Sequence, residues 1–322
     1  MSKIFFEELG MPKPDVYLGV GSGSHAEQTA KIMLDFEKVC IEKEPSMVVV
    51  AGDVNSTIAC ALVSAKQLIP VSHVEAGLRS FDMHMPEEIN RILTDRISNL
   101  LFTPSPDADE NLLREGAKPD SIKLVGNIMI DSLLNHSEKS EKSKIHERFE
   151  ITKGDYALIT MHRPSNVDYE EVLSEIVDAI ERISEDMPVV FPAHPRTTNM
   201  LAEFGLDNRI NNNPNFVMNE PLGYLDFLAL MKYAKAVITD SGGLQEETTA
   251  LGIPCITIRE NTERPITVEQ GTNTIVGNSK ENIIREWENI VKTGGKKGRI
   301  PEMWDGKTSQ RIADEIIQYL NN

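Results

Sequence analysis

The sequence predicts an α/β protein of two domains, each a parallel sheet flanked by helices, and three observations carry that prediction. Short β-rich runs alternate with helical periodicity almost throughout. Each run ends in a small or polar cluster that opens the next helix. One stretch rich in Ser, Lys and Glu, NHSEKSEKSKIHERFE at 135–150, interrupts the alternation before it restarts, and reads as a helix end plus a solvated connection. The first domain is therefore expected over 1–140 and the second over 150–305, with a helix at 308–321 packing back on the first.

In the first half the expected strands are MVVVA (47–51), IPVSHVE (69–75), LLFTP (100–104) and IKLVG (122–126). The best-marked helix, PEEINRILTDRIS (86–98), opens on a proline and two acids, as a helix N-terminus should. In the second half the strands are YALITMH (156–162), MPVVFPAH (187–194), NFVMN (215–219), AVIT (236–239) and PCITI (254–258), with helices at 170–186 and 224–234 between them. In open parallel sheets ligands sit beyond the carboxyl ends of the strands, so the functional residues should lie just after these runs, with the cleft between the two domains.

Composition narrows the function classes. The 322 residues are 40% hydrophobic with a formal net charge of −17, which disfavours a nucleic-acid or anionic-membrane partner because neither meets a basic face. No apolar run approaches the ~20 residues of a membrane span, and the N-terminus lacks an export signal. Three widely spaced cysteines, Cys40, Cys60 and Cys255, read as buried thiols of a cytoplasmic protein.

Three constellations follow the strands. In TDSGGLQEE (239–247), Ser241, Gly242 and Gly243 stand where a strand hands over to a helix, so backbone N–H groups there can hold a phosphate while Glu247, one turn on, can accept the vicinal hydroxyls of a ribose. An ordinary capped helix with acids in its first turn is the competing reading. In the first half Asp53, Glu75 and Glu87 each fall at a strand end or a helix start, with Arg79 and Arg91 nearby. Carboxylates gathered in one cleft raise one another's proton affinity, which suits acid/base work; taken singly, each also reads as a cap or a solvated acid. MHRPSN (161–166) and AHPRT (193–197) place His162 with Arg163, and His194 with Arg196, after successive strands, as anion holders. GVGSGSH (19–25), after the strand-like VYL (16–18), has its third glycine misplaced for a dinucleotide fingerprint and is expected to be a flexible active-site or regulatory loop. No metal-ligand spacing is convincing.

Taken in order, AGDVNST, HVEAGLR, MPEEINR, MHRPSN, TDSGGLQEE and RENTERP (259–265) resemble the non-hydrolysing UDP-N-acetylglucosamine 2-epimerases over essentially the whole chain from about residue 3. The resemblance implies two Rossmann-like domains in the GT-B arrangement, a homodimer, no added cofactor, and a UDP-sugar substrate epimerised at C2 by elimination of UDP and its re-addition. It assigns catalysis to Asp53, Glu75, Glu87 and His162, with His162 beside the diphosphate, and UDP binding to Arg91, Phe227, Ser241, Gly242 and Glu247. It also implies that family members carry, before the segment KIFFEELG, a βαβ unit of on the order of 30 or more residues with a G-T-R-P-E motif. Two rival readings share the motifs: a GT-B UDP-sugar glycosyltransferase, and an inactive nucleotide-sugar-binding module.

Overall fold

The structure, a computed structural model, describes residues 9–321. It separates into two compact units, one of residues 12–131 and 302–322, the other built chiefly on 132–301. The division falls inside a helix, at Asp131, and not in the Ser-, Lys- and Glu-rich stretch. That stretch packs with the second unit: Lys232 bonds Ser137 and Glu141, and Ser143 Oγ donates to Asp226 at 2.5 Å.

The N-terminal unit holds four parallel strands in sequence order, β1 Val48–Ala51, β2 Val71–Val74, β3 Leu100–Thr103 and β4 Ile122–Leu124. Around them lie α1 His25–Lys43, α2 Asn55–Lys66, α3 Pro86–Ile97 and α4 Pro106–Arg114, and α5 Ile128–Ser140 leaves the sheet. The α1 start is a capping box, in which Glu27 N–H donates to Ser24 Oγ and Ser24 N–H to the Glu27 carboxylate. Strands β2 and β3 are buried along their whole length, as parallel strands between helices should be. By contrast β1, at the sheet edge, alternates buried and exposed, leaving Val49 51% exposed. The strand suggested at VYL does not form: Val16 is 42% and Tyr17 84% exposed, so the run has no face to bury.

The last helix of the chain, Thr308–Leu320, belongs to this unit for reasons that can be named. Its first N–H groups, from Thr308 and Ser309, donate to the Asp131 carboxylate at 3.0 and 2.7 Å. Ile312 packs with Val74, Leu100, Phe102 and Val125, and Trp304 Nε1 donates to the Pro104 carbonyl at 2.9 Å.

In the C-terminal unit six parallel strands run in the order β10-β9-β8-β5-β6-β7. They are β5 Ala157–Thr160, β6 Val189–Pro192, β7 Phe216–Asn219, β8 Ala236–Thr239, β9 Cys255–Thr257 and β10 Asn273–Ile275. The helices, in order, are α6 Ile145–Arg148, α7 Pro164–Val167, α8 Glu170–Ser184, α9 Pro195–Glu203, α10 Asp207–Asn211, α11 Tyr224–Lys232, α12 Gly242–Leu251, α13 Pro265–Glu269 and α14 Lys280–Thr293, and the closing Thr308–Leu320 is α15. The central strands β5, β6 and β8 and the α8 stripe Leu173, Ile176, Val177, Ile180 and Ile183 form one core with Trp287 of α14. Because every pairing is parallel, the residues that follow β5, β6, β8 and β9 all emerge along one edge of this sheet.

Candidate functional site

The edge of the C-terminal unit is organised by Asp240, the fully buried residue after β8. Its Oδ2 accepts the backbone N–H groups of His162 and Arg163, both at 2.9 Å, and Asn166 Nδ2 at 3.2 Å, so one carboxylate fixes the turn after β5. His162 Nδ1 lies 3.1 Å from Asp240 Oδ1, which turns Nε2 outward on a side chain 46% exposed. Burial works to raise the Asp240 pKa, but His162 and the two backbone donors outweigh it and hold the carboxyl below its ordinary value.

Ser241 occupies the N-cap of α12 yet makes no side-chain cap bond; its own N–H donates to Thr239 Oγ1. The first N–H groups of α12 are thus left without a side-chain acceptor, an arrangement that suits an anion. Gly242 is there for a reason the sequence did not reveal. A Cβ at this position would meet Glu263 Oε1 at 2.5 Å and Arg264 Nη1 at 2.9 Å, so its missing side chain makes room for the protein's own ion pairs beneath the helix start. Those pairs join Arg259 and Arg264 to Glu263, at 2.8 and 2.9 Å, and Arg264 to Glu246 at 2.9 Å. Burial would raise the Glu263 pKa, but the two guanidinium groups prevail and take it down to about 2. Arg259 Nη1, in a side chain that is nearly all buried, has no hydrogen-bond partner among the described residues.

One turn further along α12, Glu247 is 3% exposed and accepts a hydrogen bond from Tyr224 Oη at 3.0 Å. Burial pushes its carboxyl up to about 7 against the Tyr224 bond. Phe227 follows Tyr224 by three residues on α11, hence on the same helix face, and is half-buried. Beyond β6 and β7 lies a cavity of about 700 Å³ lined by Ala193, Pro195, Met218, Asn219 and Pro221. His194 and Arg196 are not the free anion holders expected. His194 Nδ1 caps α9 by accepting Arg196 N–H at 3.2 Å, and the Arg196 guanidinium is taken by Asp168 at 2.8 Å.

In the N-terminal unit the structure brings Asp53 and Arg91 together: Arg91 Nη1 donates to Asp53 Oδ2 at 2.5 Å. Its remaining bonds go to Glu88, at 2.9 and 2.6 Å, and to Ser80 Oγ at 3.4 Å, so this 2%-exposed guanidinium is committed to its own unit and orients Asp53. Glu88 was not singled out from the sequence. Buried on the inner side of α3, it also accepts the N–H groups of Ser80 and Phe81 and thereby ties down the loop before the helix. Glu87, its neighbour in the first turn, is half-buried. Glu75 follows β2 with φ +69°, in the left-handed region. A non-glycine residue there costs on the order of 1–3 kcal/mol, and such strain clusters at functional sites. Arg79 is buried against Asp95 at 2.7 Å and Glu115, a structural role.

The loop 19–24 is largely exposed and ends in the α1 capping box, which accounts for Ser24. Among the described residues no three His, Cys, Asp or Glu side chains form a metal-holding group. All three cysteines are unpaired, and no described helix is long and apolar enough to cross a membrane.

Residues 1–317 match the family described as UDP-N-acetylglucosamine 2-epimerase. The chain is 47% identical over 324 residues to the UDP-N-acetylglucosamine 2-epimerase of Methanocaldococcus jannaschii, covering 99% of this chain and 88% of that protein. It is 39% identical over 322 residues to the UDP-2,3-diacetamido-2,3-dideoxy-D-glucuronate 2-epimerase of Pseudomonas aeruginosa, covering 99% and 88%. The crystal structure of the M. jannaschii enzyme in complex with UDP-GlcNAc and UDP superposes with a TM-score of 0.91 at 47% identity, covering 99% of this chain and 88% of that one.

Proposed function

The chain belongs to the UDP-N-acetylglucosamine 2-epimerase family, and from that premise we propose that it interconverts UDP-N-acetylglucosamine and UDP-N-acetylmannosamine. The C2 hydrogen of the hexose is not acidic, so departure of the leaving group must drive its removal. A carboxylate takes the C2 proton as the C1–O bond to UDP breaks and a C1=C2 double bond forms, giving 2-acetamidoglucal and UDP. UDP then re-adds at C1 while a proton is delivered to the opposite face of C2. Proton transfer of this kind is typically accelerated ~10²–10⁴-fold by a positioned acid or base.

Asp53, Glu75 and Glu87 are the groups proposed for the two transfers. Arg91 acts by holding Asp53 Oδ2, which leaves the second oxygen for the substrate. The leaving diphosphate is assigned to the uncapped start of α12 at Ser241 and Gly242, to His162 through Nε2, and to the unpartnered Arg259 Nη1. Glu247, held by Tyr224, takes the ribose hydroxyls, and Phe227 lies against the nucleoside. The observation that carries this nucleotide assignment is α12 itself, which joins an open anion-binding start to a buried, oriented carboxylate one turn later.

Incubation with UDP-N-acetylglucosamine alone, followed by ¹H NMR of the anomeric region, tests the reading. Formation of the mannosamine epimer without acceptor or NAD supports it. No reaction until an acceptor is supplied would indicate a glycosyltransferase, free N-acetylmannosamine a hydrolysing enzyme, and bound UDP without turnover a binding module. The 39% identity to the diacetamido-glucuronate epimerase gives a second substrate reading, a UDP-sugar with a 3-acetamido group and a C6 carboxylate. Comparing kcat/KM for the two sugars decides between them.

A homodimer is part of the proposal, carried by the family resemblance. Light scattering at twice 35.9 kDa bears it out and a monomer refutes it. A nucleotide-sugar substrate and three free thiols support a cytoplasmic setting.

A further inference from the structure

Beneath the two strand ends that carry Asp53 and Glu75, the N-terminal unit buries a second pair of ionisable groups which no proton-transfer step uses. His73, in the middle of β2, is 0% exposed. Its Nδ1 lies 2.6 Å from Asp95 Oδ1 on α3, and its Nε2 lies 2.9 Å from the Gly52 carbonyl. Burial works against charge on Asp95, but His73 and Arg79 hold its carboxyl below the ordinary value; as a carboxylate it only accepts, as the carbonyl does, so each ring nitrogen carries a hydrogen and the ring is an imidazolium. The other Asp95 oxygen accepts Gly77 N–H at 3.1 Å and faces Arg79 Nη2 at 2.7 Å.

Gly52 has φ +69° and immediately precedes Asp53. Gly77 has φ +80° and lies two residues after Glu75, itself at +69°. Only glycine fits at 77, since a Cβ there would stand 2.4 Å from the Ala108 carbonyl, so the Gly77 N–H is carried by a backbone packed closely on that residue. We infer that the buried His73–Asp95 pair is a clamp which bonds the loop of Asp53 at one end and the loop of Glu75 at the other, making both residues positioning groups for the proton transfers. This rests on the epimerase reading above. A pair that only stabilised the fold would leave kcat of the folded variants unchanged.

In purified full chain, Asp95→Asn and His73→Gln are compared with the wild type for kcat, KM and UDP affinity. Displacing a reacting group by about 1 Å costs on the order of 10²-fold in rate, so kcat should fall ~10–100-fold while the UDP dissociation constant, set by the other unit, stays within about twofold. A variant that binds UDP normally and turns over within twofold of wild type overturns the clamp. The wild-type protein supplies a second measurement that needs no variant. With ¹⁵N-labelled histidine rings and the His73→Gln spectrum to assign the signal, the His73 ring should hold both ring protons to higher pH than a free imidazole, and a His73 ring that loses one as a free imidazole does would also overturn the inference. Absence of epimerisation by the wild type itself would instead strike the functional reading and leave the ring-protonation result standing on its own.

Discussion

Glu247 should make sugar-nucleotide binding depend on pH in a way that can be calculated. Its carboxyl is pushed up to about 7 by burial, and the ribose hydroxyls would donate to it, which requires the ionised form. At pH 6 roughly one carboxyl in eleven is ionised, against about nine in ten at pH 8, so affinity should fall close to tenfold between pH 8 and pH 6, with uptake of a proton at Glu247 opposing binding. The ligand for this titration is a UDP-hexose diester, whose diphosphate has no proton to gain in that range. Calorimetry of wild type and Glu247→Gln is the assay, and the variant should bind more weakly at pH 8 and with a flatter profile. The same shift sets stability with the opposite sense. Below the unfolded carboxyl value near 4.5 both states are protonated; as pH rises to about 7 only the unfolded state ionises, and stability falls by on the order of 3 kcal/mol before levelling. Glu247→Gln should therefore raise the ligand-free Tm at pH 8. A variant that keeps the wild-type pH dependence of binding, or that melts lower than wild type at pH 8, would refute this reasoning.

Other substitutions separate the roles. Glu87→Gln should abolish turnover while leaving the UDP dissociation constant within about threefold, and a matching loss of UDP affinity would contradict the division between the units. Gly242→Ala pushes a methyl into Glu263 and Arg264 and should cost ~1–3 kcal/mol in denaturant unfolding; an unchanged midpoint would show that the ion pairs move aside freely. Asp240→Asn removes the charge that holds the His162 turn and should weaken UDP binding about tenfold or more, as read by calorimetry.

The alternation of strand and helix, and the polar clusters at strand ends, are local properties, and they were readable: AVIT at 236–239 is β8 to the residue. Asp53, Glu75, Ser241 and Glu247 could be singled out because strand ends and helix starts are marked by their neighbours. What the sequence hides is pairing across distance. Arg91, which the family resemblance gives to UDP, is bonded to Asp53, 38 positions away, and to the buried Glu88, pairings that no local pattern announces. His194 reads as an anion holder but is a helix cap, a role set by one backbone contact. The side of Gly242 where a Cβ would project is packed by Glu263 and Arg264 from the loop before α13, a contact no local pattern announces. The three-residue β10 is too short for periodicity to declare, and VYL has strand composition but nothing to pair with.

The chemistry turns on the fate of one hydrogen. With UDP-N-acetylglucosamine in D₂O and no added NAD, elimination and re-addition require that each epimerised molecule carry deuterium at C2, read as loss of the C2 proton signal by ¹H NMR. Epimer formed with its original hydrogen retained at C2 would contradict proton transfer by Asp53, Glu75 and Glu87 and exclude the glucal route.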